Sequence, residues 1–142
     1  MAIRPLQVVT STTPPAVELL AKTVQVARTD TTAFEAFILP KNAVVAGAYV
    51  MGTVASDAAS TAIIDVGTNP GTSDQIVDSF SVKTNGVGYH AIGAAGGSAI
   101  GTQLSADTLY KARYAETGTA SSTGGPWLVK VEYYFPQPGY SF

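Results

Sequence analysis

Short runs of β-branched and aromatic residues, separated by glycine, proline, asparagine and aspartate, recur along most of the chain. Within these runs apolar and polar residues tend to alternate, which is the pattern of a strand with one buried face. The clearest pair of runs lies on either side of a corner made by Pro40, Lys41 and Asn42. Strands are predicted at about 22–28, 33–39, 44–54, 61–67, 76–83, 87–93, 98–104, 108–116 and 126–135.

Eight or nine short strands, spaced roughly 10–12 residues apart, predict an all-β fold. The expected architecture is an antiparallel β-sandwich of the jelly-roll type, formed by residues 17–135. The alanine-rich stretch between Val54 and Ala62 is compatible with a helix, but it more readily forms the tip of a loop.

The strand at 108–116 has two distinct faces. Leu109, Lys111 and Arg113 are expected on one face, and the other should carry Tyr110, Ala112 and Tyr114. The strand at 126–135 is predicted to be its partner, with Glu132 opposite Lys111 or Arg113 in a cross-strand charge pair. The loop at 117–125 contains only small residues, so we expect it to be mobile and unpacked.

Two terminal segments are expected to extend from the sandwich. Residues 1–16 form a predicted arm, in which four apolar residues precede a linker whose prolines favour extended backbone. Such an arm can add to the edge of another sheet, whereas the alternative is a frayed terminus. Residues 136–142 form a predicted aromatic tail, because two prolines stop the strand ladder, and the alternative is a tail packed over the domain's own open end. The residues predicted to contact other proteins are Ile3, Leu6, Val8, Val9, Tyr133, Phe135, Tyr140 and Phe142.

The composition suits a protein that is largely enclosed by neighbours. Ala, Gly, Ser and Thr make up 63 of the 142 residues, and only 13% of residues are charged, about half the usual fraction. Small neutral side chains lose little entropy when they are ordered, and they allow backbones to approach closely. A thinly charged globular domain is the simpler interpretation of the same numbers.

Charge and hydropathy exclude two classes of partner. The net charge is -2 and the basic residues are isolated, whereas binding to a phosphate backbone requires clustered cations. No apolar stretch approaches the ~20 residues that span a bilayer, and the first residues are too short in apolar length for a signal peptide. We therefore predict no nucleic-acid partner, no membrane partner and an intracellular site of synthesis.

Residues that carry chemistry are sparse. The chain has no cysteine and a single histidine, His90, whose sequence neighbours include no carboxylate. This excludes thiolate metal sites and argues against a histidine-centred metal site. No serine lies in a Gly-x-Ser-x-Gly elbow. We predict no catalytic residues, no metal and no cofactor, and hence no enzymatic activity.

Two kinds of ligand binding stay open as alternatives. The segment from Asp65 to Asp74, with Asp78 beyond it, gathers the oxygen ligands that calcium prefers, although its spacing is not that of an EF-hand and ordinary turns use the same residues. Trp127 and seven tyrosines could supply the stacking platforms of a carbohydrate-binding β-sandwich. Because Trp127 stands at a predicted strand start, it is expected instead to cover one end of the sandwich.

Four short motifs resemble those of small structural proteins of tailed bacteriophages. They are FILPKNAVV (37–45), AIIDVGT (62–68), LSADTLY (104–110) and GPWLVKVEY (125–133). The resemblance covers about residues 34–135 and implies a virion component of the capsid decoration, or cement, type. It implies the major capsid protein as the partner, a dimer or trimer of the chain itself, and a place on the capsid surface after synthesis in the host cytoplasm. A head-fibre or tail component is the alternative within this class, and the resemblance carries no catalytic residue.

Overall fold

The computed structural model describes residues 18–93 and 97–136, in which all regular secondary structure is β. Within these ranges no helix is long and apolar enough to cross a membrane. The eight strands are β1 (Leu20–Val26), β2 (Phe34–Leu39), β3 (Val44–Gly52), β4 (Thr61–Gly67), β5 (Val77–Ser81), β6 (Gly88–Ile92), β7 (Thr108–Thr117) and β8 (Trp127–Tyr134).

The strands form two four-stranded antiparallel sheets. Sheet A has the order β1-β8-β3-β6, and sheet B has the order β2-β7-β4-β5. First and last strands pair, as do second and seventh, third and sixth, and fourth and fifth, as if one long hairpin had been rolled up. This is the topology of a jelly roll. The predicted antiparallel β-sandwich is therefore confirmed.

The core lies between the two sheets and is built by alternation along each strand. In β8, Trp127, Val129 and Val131 point inward and are buried, while the residues between them point outward. In β7 the alternation places Tyr110 and Tyr114 on one face, as the sequence predicts, and that face is the buried one. The Val54–Ala62 stretch contains no helix and ends where β4 begins, as expected for a loop tip.

The corner at Pro40, Lys41 and Asn42 also forms where it is predicted. Asn42 adopts a left-handed backbone with φ of 72°, which asparagine tolerates better than most residues. The backbone N–H of Lys41 donates a hydrogen bond of 2.8 Å to Asp107, just before β7. The corner between β2 and β3 is thus fastened to the start of a distant strand.

The strand predicted at 98–104 is wrong. Ile100 makes one isolated bridge to Val45, and Gln103 makes another to Val44, without a continuous ladder. Turns interrupt the segment, because Gly101 has a φ of +85° and Ile100 donates its backbone N–H to Gly97. The composition suits a strand, but the turns at both glycines prevent one.

The pairing predicted for the last two strands is also wrong. β7 pairs with β2 and β4 in sheet B, whereas β8 pairs with β1 and β3 in sheet A. Arg113 therefore lies opposite Asp65, and Glu132 lies 3.9 Å from Lys130 of its own strand. Alternation specifies the face on which a side chain lies, but it does not identify the neighbouring strand.

The loop between β7 and β8 was predicted to be unpacked, but hydrogen bonds hold it against the rest of the protein. Ser121 is buried, and its backbone N–H donates to the Glu116 carboxylate. Asp57 accepts hydrogen bonds of 2.8 and 2.9 Å from the backbone N–H groups of Ser122 and Thr123. Small polar residues pack here because two carboxylates satisfy their backbone donors.

Candidate interaction surfaces

A groove runs along one side of the sandwich, where the edge strands of the two sheets come together. β1 is an edge of sheet A and β2 is an edge of sheet B. The groove between them has a volume of about 500 Å³. Its lining residues are Lys22, Thr23, Glu35, Ala36, Phe37, Ile38 and Leu109.

The groove combines apolar side chains with backbone that is available for pairing. Phe37 is buried beneath it, whereas Ile38 is 55% exposed beside it. A register shift in the β2–β7 ladder between Glu35 and Phe37 leaves Ala36 without a partner residue in β7. Edge strands present unpaired N–H and C=O groups, and natural proteins usually cover or blunt them. The groove therefore has the features that accept an added strand.

A second surface lies on the outer face of sheet A and consists of Tyr49, Tyr89, Lys130 and Glu132, called here the tyrosine cluster. The rings of Tyr49 and Tyr89 are 5.1 Å apart between centroids. The Lys130 ammonium lies 5.0 Å from the centre of the Tyr49 ring and 5.7 Å from that of Tyr89. Cation–π contacts at such distances hold the two rings and the lysine together.

The cluster is electrically balanced and only partly exposed. The nearby Glu132 carboxylate, together with burial, raises the pKa of the Tyr49 phenol. Lys130 lies within 3.9 Å of the same carboxylate. Tyr89 is 56% exposed and offers most of its ring to a partner. Tyrosine is enriched at protein interfaces.

An acidic cluster stands on the outer side of sheet B. Carboxylate oxygens of Asp65, Asp74 and Asp78 lie within 4.8 Å of one another. Arg113 donates hydrogen bonds of 3.1 and 3.0 Å to Asp65, which also accepts the backbone N–H of Ser79. Burial raises the pKa of the Asp74 carboxyl. Arg113 supplies the positive charge beside Asp65, with which it forms an ion pair.

Trp127 closes one end of the sandwich, as the sequence predicts. Its indole is fully buried and stacks on Tyr114, with ring centroids 5.6 Å apart and planes 6° apart. The indole N–H donates a hydrogen bond of 3.0 Å to the carbonyl of Gly86. A Cβ on Gly52 would come within 2.3 Å of the indole, so glycine is required beneath it. A buried indole presents no face to a sugar, and Trp127 cannot serve as a stacking platform.

The two predicted contact residues that the structure describes, Tyr133 and Phe135, differ in their exposure. Tyr133 is only 6% exposed and belongs to the core, whereas Phe135 is 37% exposed just beyond β8. The two rings meet edge to face with centroids 6.0 Å apart, so Tyr133 supports Phe135 from within. The other predicted contact residues lie outside the described ranges, namely Ile3, Leu6, Val8, Val9, Tyr140 and Phe142.

Sequence reasoning did not identify the tyrosine cluster or the groove. Tyr49 and Tyr89 are distant in sequence and meet only because β3 pairs with β6, where Tyr49 lies opposite Ala91 and Met51 lies opposite Tyr89. Ile38 carries a signal that could have been used, because it is a β-branched apolar residue on the polar face of an alternating strand. His90 contacts the Val87 carbonyl at 2.8 Å and the Phe80 ring, in line with a structural role.

Known protein-family models give no match to the chain, and no curated protein matches it. Two solved capsid structures contain chains that are similar in fold. A chain of the cyanophage Pam1 capsid asymmetric unit has a TM-score of 0.58 and 20% identity, covering 84% of this chain and 85% of its own length. A chain of the acidic stable capsid structure of Helicobacter pylori bacteriophage KHP30 has a TM-score of 0.58 and 12% identity, covering 86% and 92%. At these identities the likeness is one of fold.

Proposed function

We propose that this protein is a non-enzymatic structural component of a bacteriophage virion, which decorates the outer surface of the capsid and stabilises the head. The observation that carries the proposal is the fold match to chains of two phage capsids, each with a TM-score of 0.58. The four phage-like sequence motifs and the jelly roll that contains them support the same conclusion.

The matched capsid chains are small, and this supports an accessory role. Each alignment covers nearly the same large share of both partners. The neighbours are therefore separate chains of about this length, almost filled by one sandwich. A small separate sandwich in a capsid is well suited to binding over a shell that other subunits build. By decoration we mean that the chain binds to the outside of a shell built by other subunits.

The proposed mechanism is bridging by a rigid domain. The groove, the tyrosine cluster and Phe135 lie on the described part of the molecule and offer apolar and aromatic contact area. The major capsid protein and sister copies of this chain are the proposed partners. Many copies on one particle gain from avidity, so each contact can be weak. The low net charge limits repulsion between closely spaced copies.

The groups that could carry catalysis have structural roles in the described residues. His90 is hydrogen-bonded to the Val87 carbonyl, and the Asp65 carboxylate accepts a hydrogen bond from Arg113. The hydroxyl of Tyr114 lies within hydrogen-bond distance of Ser56 and Glu116 inside the sandwich. These engagements support a structural role over an enzymatic one.

Two alternatives keep specific support. A head-fibre or tail component could use the same fold, and the location of the protein in the particle separates these roles. A carbohydrate-binding module is the alternative from another class, and it now depends on the exposed ring of Tyr89 rather than on Trp127.

The decisive experiment compares particles with and without this protein. Particles that lack it should assemble, but they should release DNA at a lower temperature or under milder osmotic shock. Adding the purified full chain should restore resistance, and imaging should place it on the capsid surface. Unchanged resistance together with density only on the tail would reject decoration in favour of the tail alternative.

A further inference from the structure

We propose that the groove between β1 and β2 binds residues 3–9 of a second copy of this chain, which adds there as an extra β-strand. This inference deepens the proposed function by naming how copies of the chain are joined. It depends on the groove, on the sequence of the arm and on the position where the described chain begins.

The receptor side supplies both pairing groups and apolar contacts. In the described residues, β1 forms a ladder with β8 only, and β2 forms one with β7 only, so each strand has one open side. Ala36 lies in the bulge without a partner residue, and Ile38 and Leu109 flank the opening. An added strand would satisfy the open backbone and cover the exposed part of Ile38.

The arm has the sequence that such a groove requires. Residues 3–9 read Ile-Arg-Pro-Leu-Gln-Val-Val, with four aliphatic side chains and no acidic residue. Pro5 lacks an N–H and is tolerated where a strand faces away from its partner. With Pro5 facing away, the backbone groups of Arg4, Leu6 and Val8 face the open edge. Arg4 then matches Glu35, the exposed carboxylate on the groove.

The position of the linker favours a second copy over the same chain. The described chain begins at Glu18, two residues before β1, whose Lys22 and Thr23 line the groove. Filling its own groove would require the chain to reverse direction between Val9 and Leu20. Pro14 and Pro15 oppose such a reversal, because proline-rich segments are extended at about 3.1 Å per residue. Eight linker residues at that rise reach about 25 Å, which is enough to enter a neighbouring sandwich.

Disulfide trapping tests the inference. Because the chain has no cysteine of its own, only the introduced cysteines can form the disulfide. The full chain is prepared separately with Leu6→Cys, with Val8→Cys and with Ile38→Cys, and each arm variant is mixed with the Ile38→Cys protein under mild oxidation. Val87→Cys replaces Ile38→Cys as the control, because Val87 is 57% exposed and next to β6, the opposite edge strand of sheet A. One of the arm variants should form mixed dimers with Ile38→Cys about tenfold faster than with Val87→Cys, reflecting effective concentration. Equal rates with both partners would overturn the proposal.

A second measurement does not depend on the geometry of a disulfide. Ile38→Arg should convert the oligomer of the purified full chain into a monomer in sedimentation experiments, whereas Val87→Arg should leave it unchanged. Both side chains are exposed to a similar degree, so both variants should fold, and circular dichroism checks this. A wild-type chain that is monomeric at all concentrations, or an Ile38→Arg chain that stays oligomeric, would refute the inference. Neither result requires capsids, so failure here is distinct from failure of the proposed decoration.

Discussion

Trp127 and Tyr114 stack almost in parallel, with 5.6 Å between ring centroids. Trp127 begins β8 in sheet A, and Tyr114 lies in β7 of sheet B. The stack therefore joins the two sheets at the end where the chain crosses between them. The indole N–H donates a hydrogen bond to the Gly86 carbonyl, and the Tyr114 hydroxyl donates one to the Glu116 carboxylate.

Replacing Trp127 by alanine should remove this closure and lower the free energy of unfolding by about 3–5 kcal/mol, the usual cost for a buried aromatic residue. Chemical denaturation of the purified chain measures the change. Leu128→Ala is the matched control, because Leu128 is the next residue but is partly exposed and points outward. A loss below about 1 kcal/mol for Trp127→Ala would show that this end of the sandwich does not depend on the indole.

Tyr114→Phe should cost about 1–3 kcal/mol, because it keeps the ring stack but removes a buried hydroxyl from its partners. That hydroxyl lies 2.7 Å from Ser56 Oγ and donates a bond of 2.6 Å to Glu116. Ser56→Ala in the same background should then cost less than it does alone, since the two groups share one network. Additive losses in a double-mutant cycle would contradict this coupling.

Arg113→Met should destabilise the fold by about 3 kcal/mol, because it leaves the buried Asp65 carboxylate without its ion-pair partner. Asp65 is 1% exposed, and Arg113 binds it through two nitrogens. The partial exposure of Arg113 places the loss at the lower end of the range for buried pairs. Lys111→Met, on the same outer face of β7, is the control and should change the unfolding midpoint little. Equal effects of the two substitutions would disprove the special role of the pair.

The sequence predicted which side chains share a face of a strand, but it did not predict which strands lie next to each other in the sheets. Alternation placed Tyr110 and Tyr114 on the same face, because side chains alternate with a period of two along a strand. It did not reveal that β7 and β8 belong to different sheets, because a jelly roll pairs strands from opposite ends of the chain. Tyr49 and Tyr89 come together through one such pairing, so the tyrosine cluster could not be found from local patterns. Turns at Gly97 and Gly101 prevent the strand that was predicted at 98–104.

Tyr89→Ala separates the carbohydrate alternative from a protein interface. Its exposed ring is the one available stacking surface of the tyrosine cluster, so loss of the ring should abolish any sugar binding. We expect the wild-type chain to bind no glycan on an array and Tyr89→Ala to weaken attachment to capsids. Val87→Ala, which trims a similarly exposed neighbour, is the control. Wild-type glycan binding that disappears in Tyr89→Ala would favour the carbohydrate-binding module.

Asp57 should make the stability of the protein sensitive to acid. Its carboxylate accepts backbone N–H groups of Thr123 and Ser122 and the Ser122 hydroxyl. These bonds hold the pKa of Asp57 far below its ordinary value. Because the folded pKa lies below the unfolded one, the stabilisation is fully present above about pH 4 and is lost as the pH falls through the folded value.

Asp57→Asn should therefore lower the thermal midpoint at neutral pH and have a progressively smaller effect below about pH 4, where the wild-type carboxylate takes up a proton on unfolding. The asparagine keeps one acceptor oxygen but loses the charge that strengthens the bonds to the loop. Glu116, whose pKa is lowered chiefly by the bond from Tyr114, adds a dependence of the same sign. The variant should hence keep part of the wild-type acid sensitivity. Parallel stability curves for the two proteins between neutral pH and about pH 3 would mean that the charge of Asp57 does not hold the loop.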